Sequence, residues 1–171
     1  MRLIGVLMGY AESDRVAQTW LAAFRAALPK LGWTEGSNLR IELRWSASDA
    51  DRMRTLAKEL VDLRPNAILG VTTPVIAALA RETRTISIVF TGVSDPIGSG
   101  FAANLAHPGG NITGFQAQGD PALGGKWVEL LKEIAPRTLR VALLFNPATT
   151  VPIQYLHALH SNCRHHPLAS R

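Results

Sequence analysis

The chain has a single cysteine, Cys163, so it can form neither an internal disulfide nor a zinc site built on several thiolates. No apolar run approaches the ~20 residues that span a bilayer, so no membrane span is expected. No Lys/Arg run or aromatic–basic alternation is present, which argues against nucleic acid as a partner. Catalytic material is scarce as well. There is no G-x-S-x-G elbow, no Walker loop and no G-x-G-x-x-G after the first strand. Before His157 the only histidine is His107, which leaves almost nothing for a Ser-His-Asp arrangement. Gly98-Ser99-Gly100 and Gly109-Gly110 lack dinucleotide spacing and read as loop hinges. These absences point away from an enzyme, and the expected cofactor and metal content is none.

What is present is a globular balance: 47% hydrophobic and 18% charged residues among 171, against disorder. The net charge is +5. Its arginines (Arg15, Arg25, Arg52, Arg54, Arg81, Arg84) stand singly among acids, as on a solvated surface. Met1-Arg2 leads directly into Leu3-Ile4-Gly5-Val6-Leu7-Met8. A signal peptide needs an apolar core of about 7–15 residues and a small-residue cleavage site, so this stretch reads as a first strand. As written, the chain is expected to carry no export address.

Short apolar runs alternate with helical periodicity. Strands are expected at 3–8, 39–44, 67–71, 86–91, 112–115 and 141–145, several of them continuously apolar, as in strands buried on both faces. A helix is expected from Asp14 to Leu31, with Val16, Trp20, Phe24, Ala27 and Leu31 inward and Gly32 as its stop. A second spans Asp49 to Leu63 with Met53, Leu56, Ala57, Leu60 and Val61 on one face. Its acids Asp49 and Asp51 suit a positive helix start, and Arg64-Pro65 closes it. A third runs from Pro74 to Thr83, with Thr73 as N-cap. This rhythm predicts an α/β fold, a doubly wound parallel sheet with right-handed crossovers.

After residue 92 the grammar loosens. Residues 93–100 form a turn-rich loop, Phe101–Leu105 a short helical stretch, and His107-Pro108-Gly109-Gly110-Asn111 a further break. A polar linker, Gln116 to Pro121, precedes an amphipathic helix from Leu123 to Ile134 and a strand from Leu139 to Phe145. Residues 1–116 therefore read as a first ligand-binding lobe, 117–150 as a crossover and the incomplete start of a second lobe, and 151–171 as an atypical tail. The tail contains His157, His160, Cys163, His165 and His166, whose spacing matches no closed metal site. Its composition suggests a chain cut short or read out of frame after about residue 150.

In open parallel sheets ligands bind beyond the carboxyl ends of the strands. The first strand ends at Gly9-Tyr10, with Glu12, Ser13 and Asp14 beyond it; the third ends at Thr72-Thr73-Pro74, the fourth at Gly92-Val93-Ser94-Asp95-Pro96. Thr72 and Thr73 place hydroxyls beside the free N–H groups of a helix start, a cradle for carboxylate or phosphate; Thr73 capping its own helix accounts for the same pattern. Tyr10 suits stacking on a ligand ring, or merely covering the sheet edge. Ser94 and Asp95 suit a ligand amine, while Asp95-Pro96 is also turn chemistry.

Several stretches resemble the substrate-binding proteins of ABC transporters, in the tryptophan/tyrosine-type branch of the periplasmic binding proteins. They are Leu3-Ile4-Gly5-Val6-Leu7, Gly32-Trp33-Thr34-Glu35-Gly36, Leu56-Ala57-Lys58-Glu59-Leu60-Val61, Thr72-Thr73-Pro74 and Ile88-Val89-Phe90. The most specific run is Val93 to Gly114, including Leu105-Ala106-His107-Pro108-Gly109-Gly110-Asn111-Ile112-Thr113-Gly114. The resemblance implies two Rossmann-like lobes of periplasmic-binding-protein type I closing on a small amino-acid-like, often aromatic, ligand, with no catalysis. It implies an ABC permease and ATPase as partners of an intact homologue and a periplasmic or extracytoplasmic location; without an export signal, the chain as written would stay cytoplasmic. It also implies ligand contacts at Tyr10, Thr72, Thr73, Ser94 and Asp95, with Asn146 at the matching strand end of the second lobe.

Two other classes share the sheet. A cytoplasmic nucleotide-binding domain or enzyme needs a phosphate loop after the first strand, where Glu12 and Asp14 repel phosphate instead. A transcription-regulator effector core needs a helix-turn-helix ahead of residue 1.

Overall fold

The computed structural model describes residues 1–104, 106–116, 123–142 and 144. Strand β1 (Arg2–Met8) is followed by helix α1 (Arg15–Ala27) and a 3-10 turn at Pro29–Leu31. Then come β2 (Leu39–Trp45), α2 (Ala50–Asp62), β3 (Ala67–Val71), α3 (Thr73–Glu82), β4 (Ser87–Thr91), β5 (Ile112–Phe115) and α4 (Leu123–Ile134). The five strands form one sheet in the order β2-β1-β3-β4-β5, and every pairing is parallel. The expected α/β, doubly wound parallel architecture is the one found.

Alternation along β1 sorts the core into two layers. Leu7 joins Met53, Ala57, Leu60, Ile76, Leu79, Ile88 and Phe90 in the larger cluster, supplied by α2 and α3. Its neighbours Val6 and Met8 join Ala17 and Leu21 of α1, with Trp45 and Val71, in the smaller one. The chain therefore crosses the sheet on opposite faces either side of β1, which sets where its crevice lies.

Helix boundaries follow their caps. Asp14 Oδ1 accepts from the backbone N–H of Val16 and Ala17, each at 2.9 Å, and Asp49 Oδ1 accepts from Arg52 N at 2.7 Å. Of the expected inward stripe of α1, Phe24 packs against the core, but the first turns are shifted by one residue. Ala17, Leu21 and Leu28 are buried, whereas Val16, Trp20 and Leu31 are 57%, 48% and 72% exposed. Ala17 and Leu21 are the side chains of α1 that enter the core beside Val6, Met8 and Val71.

Two expected elements are absent where they were placed. Residues 101–104 are not helical: Phe101 N and Ala102 N both donate to Pro96 O, and Ala103 N donates to Pro108 O. Those bonds tie 101–103 into the loop between Pro96 and Pro108. Residues 139–142 and 144 form no strand, and Leu139 and Leu144 are 78% and 97% exposed; no described strand lies beside them to complete a ladder. The tail 151–171 and most of the linker at 116–121 lie outside the described residues.

Candidate functional site

The strand registers bring five carboxyl ends level. Met8 pairs with Trp45 and with Val71, Val71 with Thr91, and Thr91 with Phe115. The segments just beyond this row, 46–48, 9–10, 72–73, 92–95 and 116, form one rim. Strand order reverses direction at β1, so the topological crevice opens between the ends of β1 and β3. Gly9-Tyr10 and Thr72-Thr73 flank it.

The β3 end is the most constrained part of the rim. Thr72 has φ 93° and ψ 150°, a region that is essentially glycine's own and costs about 1–3 kcal/mol for another residue. Its N–H donates to Thr91 O at 3.2 Å, and Gly9 N donates to Val71 O at 3.2 Å. A Cβ on Gly9 would run into the Thr72 side chain, so glycine is what lets β1 close against it. Thr72, not Thr73 as expected from the sequence, is the residue preceding α3, and its side chain makes no capping bond. The hydroxyls Thr72 Oγ1 and Thr73 Oγ1 are both buried and both without a hydrogen-bond partner. An unpaired buried hydroxyl costs about 1–3 kcal/mol, and here two of them sit with the unsatisfied N–H groups at the start of α3. The arrangement suits an anionic or carbonyl oxygen.

Tyr10 lies across the crevice. Its ring meets Trp20 edge-on, with centroids 5.5 Å apart and planes at 74°, so α1 fixes its position. Burial, and secondarily the charge of Asp14, raise its phenol above the ordinary range, so the ring stays a neutral phenol. Beside it the chain adopts two successive left-handed residues, Ala47 at φ 53° and Ser48 at φ 60°. They are latched to the β1 end: Ala47 N donates to Tyr10 O at 3.1 Å and Ser48 N to Gly9 O at 2.7 Å, while Ser48 Oγ donates to Gly9 O and Ser46 Oγ to Met8 O, each at 3.0 Å.

On the β4 side Ser94 is buried. Asp95 Oδ1 accepts from Gly98 N at 2.7 Å, the turn role the sequence also allowed. Gln116, at the end of β5, donates through Nε2 to Ser94 O at 2.8 Å and braces that loop. The structure thus brings Tyr10, Thr72, Thr73, Ser94 and Asp95 to one rim, while Asn146 lies outside the described residues. Gly9, Ser46, Ser48 and Gln116 also build the rim and were not singled out from the sequence. Gly9 was legible only as the last residue before an acidic loop, and the serines only as small residues ahead of a capping aspartate. Among the described residues no group of His, Cys, Asp and Glu could hold a metal ion.

A doubly wound parallel sheet with its crevice between β1 and β3, rimmed by hydroxyls and an aromatic ring, has the α/β architecture of a lobe of the periplasmic-binding-protein type. Residues 14–168 match the family described as ABC transporter substrate binding protein, and the chain belongs to that family. Over 123 residues it is 28% identical to a tyrosine-binding protein of Clostridioides difficile, an alignment that covers 72% of this chain and 35% of that protein. Its fold matches a conserved domain protein from Vibrio cholerae at TM-score 0.83 and 26% identity, covering 98% of this chain and 55% of the other. It also matches an ABC domain from Streptococcus pneumonia in complex with L-Trp, at TM-score 0.81 and 23% identity, covering 99% and 56%. The chain spans about half the length of these solved structures and about a third of the curated relative.

Proposed function

We propose that this chain supplies one wall of the ligand site of an ABC transporter's substrate-binding protein and that the ligand is a small amino acid, aromatic by preference. The observation that carries this reading is the pair of buried, unpartnered hydroxyls at the start of α3. They suit the carboxylate of an amino acid, with Tyr10 beside its side chain and Ser94 and Asp95 toward its amine. The family match and the relatives, one a tyrosine-binding protein and one in complex with L-Trp, support the same class of ligand. Residues 1–116 act as the first lobe and 117–150 lead into a second, to which Asn146 belongs as a further candidate ligand contact. The role is binding and hand-over to a permease driven by an ATPase, outside the cytoplasm, without catalysis. Among the described residues no helix is long and apolar enough to cross a membrane.

The test is a titration of the isotope-labelled chain with the amino acids and, separately, with nucleotides. Tyrosine, tryptophan or phenylalanine is expected to shift the amide signals of Tyr10, Thr72 and Thr73, and Thr73→Val to weaken that response. Shifts with nucleotides alone would overturn the reading in favour of a phosphate-binding domain.

A further inference from the structure

Next to the crevice, toward β2, an open depression of about 470 Å³ is lined by Glu12, Ser13, Trp45, Ala47 and Arg52. Three features distinguish it from ordinary surface. First, Arg52 stands in the first turn of α2, its own N–H bonded to the Asp49 cap. A cation there opposes the helix dipole, which favours acids at a helix start. Second, the Arg52 guanidinium lines the same depression as the Glu12 carboxylate and, like several other surface arginines, has no ion pair among the described residues. Glu12 is unpaired as well: its loop is pinned by the Asp14 cap and by Gln18 Nε2 donating to Glu12 O at 2.7 Å, but its carboxylate meets no cation. Third, Ala47, which lines the depression, forms with Ser48 the strained left-handed pair latched to Tyr10 O and Gly9 O, and backbone strain of this kind is retained where a surface must be held in one shape.

We propose that this depression is the distal subsite of the ligand cleft and that Glu12 and Arg52 bind a ring hydroxyl, selecting tyrosine over phenylalanine. The proposal rests on the reading of the crevice as an amino-acid site. Opposite charges lining one depression select the group between them. A carboxylate would be repelled by Glu12 and an ammonium by Arg52, whereas a hydroxyl donates to the first and accepts from the second. Trp45 and Ala47 flank it with apolar surface. The spacing is also compatible: two strand intervals separate the β3 end from the β2 end, about 10 Å, a span that a tyrosine covers when hydrogen bonds at its carboxylate and its phenol oxygen are counted. A ligand whose carboxylate lies at Thr72 and Thr73 passes Tyr10 and ends in the depression.

The experiment is an NMR titration of the full chain and of Arg52→Gln and Glu12→Gln, both exposed substitutions, with tyrosine and with phenylalanine. Tyrosine is expected to bind about tenfold more tightly, the effect of one hydrogen bond to a charged group, and to move the Trp45 indole N–H signal, which phenylalanine leaves in place. Each variant is expected to lose most of that gap while its affinity for phenylalanine changes less than about twofold. If both amino acids shift Thr72 and Thr73 but the variants keep the gap, or the wild type shows none, the subsite is overturned and the amino-acid site stands. If neither amino acid shifts Thr72 and Thr73, the reading of the crevice itself falls and the subsite with it.

Discussion

Thr72 combines two costs in one residue: a backbone conformation that suits glycine and a buried hydroxyl with no partner. Thr72→Val keeps the branched shape and removes the polar atom, so the free chain is expected to gain up to about 1 kcal/mol, since an unsatisfied group is lost and no bond is broken. Chemical denaturation measures the gain, and amino-acid titration of the same variant is expected to show weaker binding. Stability and binding moving in opposite directions is the signature of a site residue; a loss of stability would instead mean that the hydroxyl serves the fold. Gly9→Ala separates from this cleanly. Its new Cβ would press on the Thr72 side chain and the Val71 carbonyl, and overpacking of this kind costs about 1–3 kcal/mol, read as a lower denaturation midpoint.

Elements differ in how far the sequence discloses them. The five strands of the sheet and α2 were legible because their signals are local: short apolar runs, an aspartate cap at Asp49 and a period that matches the buried Met53, Ala57 and Leu60. The inward face of α1 was not, because Val16/Trp20 and Ala17/Leu21 are both apolar at helical spacing, and only the tertiary packing decides between them. The start of α3 was misplaced by one residue because Thr72 and Thr73 are chemically alike and the difference lies in one backbone angle. For α1, Asp14→Ala removes the bonds to Val16 and Ala17 and is expected to cost about 0.5–2 kcal/mol in thermal or chemical unfolding. On the edge strand β2, Glu42 is flanked by Arg40 and Arg44. The hydrogen bond from Arg40 is the chief cause holding its carboxyl below the ordinary value, with Arg44 adding to it. A lowered folded-state value gives stability that is present above the unfolded-state carboxyl range and is lost as pH falls through the folded-state value. Glu42→Gln is therefore expected to be less stable than wild type at neutral pH, with the difference vanishing once acid has protonated Glu42 in both states. A difference that persists unchanged into acid would assign the effect to packing.

At the scale of the whole molecule the two helical layers are unequal, and this bears on how the site moves. Leu60, Ile76 and Leu79 of α2 and α3 are fully buried against Leu7, Ile68 and Ile88. On the other face α1 contributes the buried Ala17 and Leu21 and leaves Val16 and Trp20 largely exposed. Leu79→Ala is accordingly expected to cost about 2–5 kcal/mol, with Leu21→Ala at the lower end of that range. Regions with less buried apolar contact open locally without global unfolding. Native-state hydrogen exchange is expected to rank the amides of β1, β3 and α3 together near the global unfolding free energy, with α1 and the exposed-edge strand β5 below them. The crevice lies between these two regimes: Thr72 and Thr73 belong to the stable layer, while Tyr10 is held through Trp20 by the labile one. A ligand that touches both should therefore raise protection in α1 more than in α3, by linking the weaker layer to the stronger one. Equal protection of the two helices on ligand addition would mean that binding stabilises the lobe only as a whole and that Tyr10 takes no part.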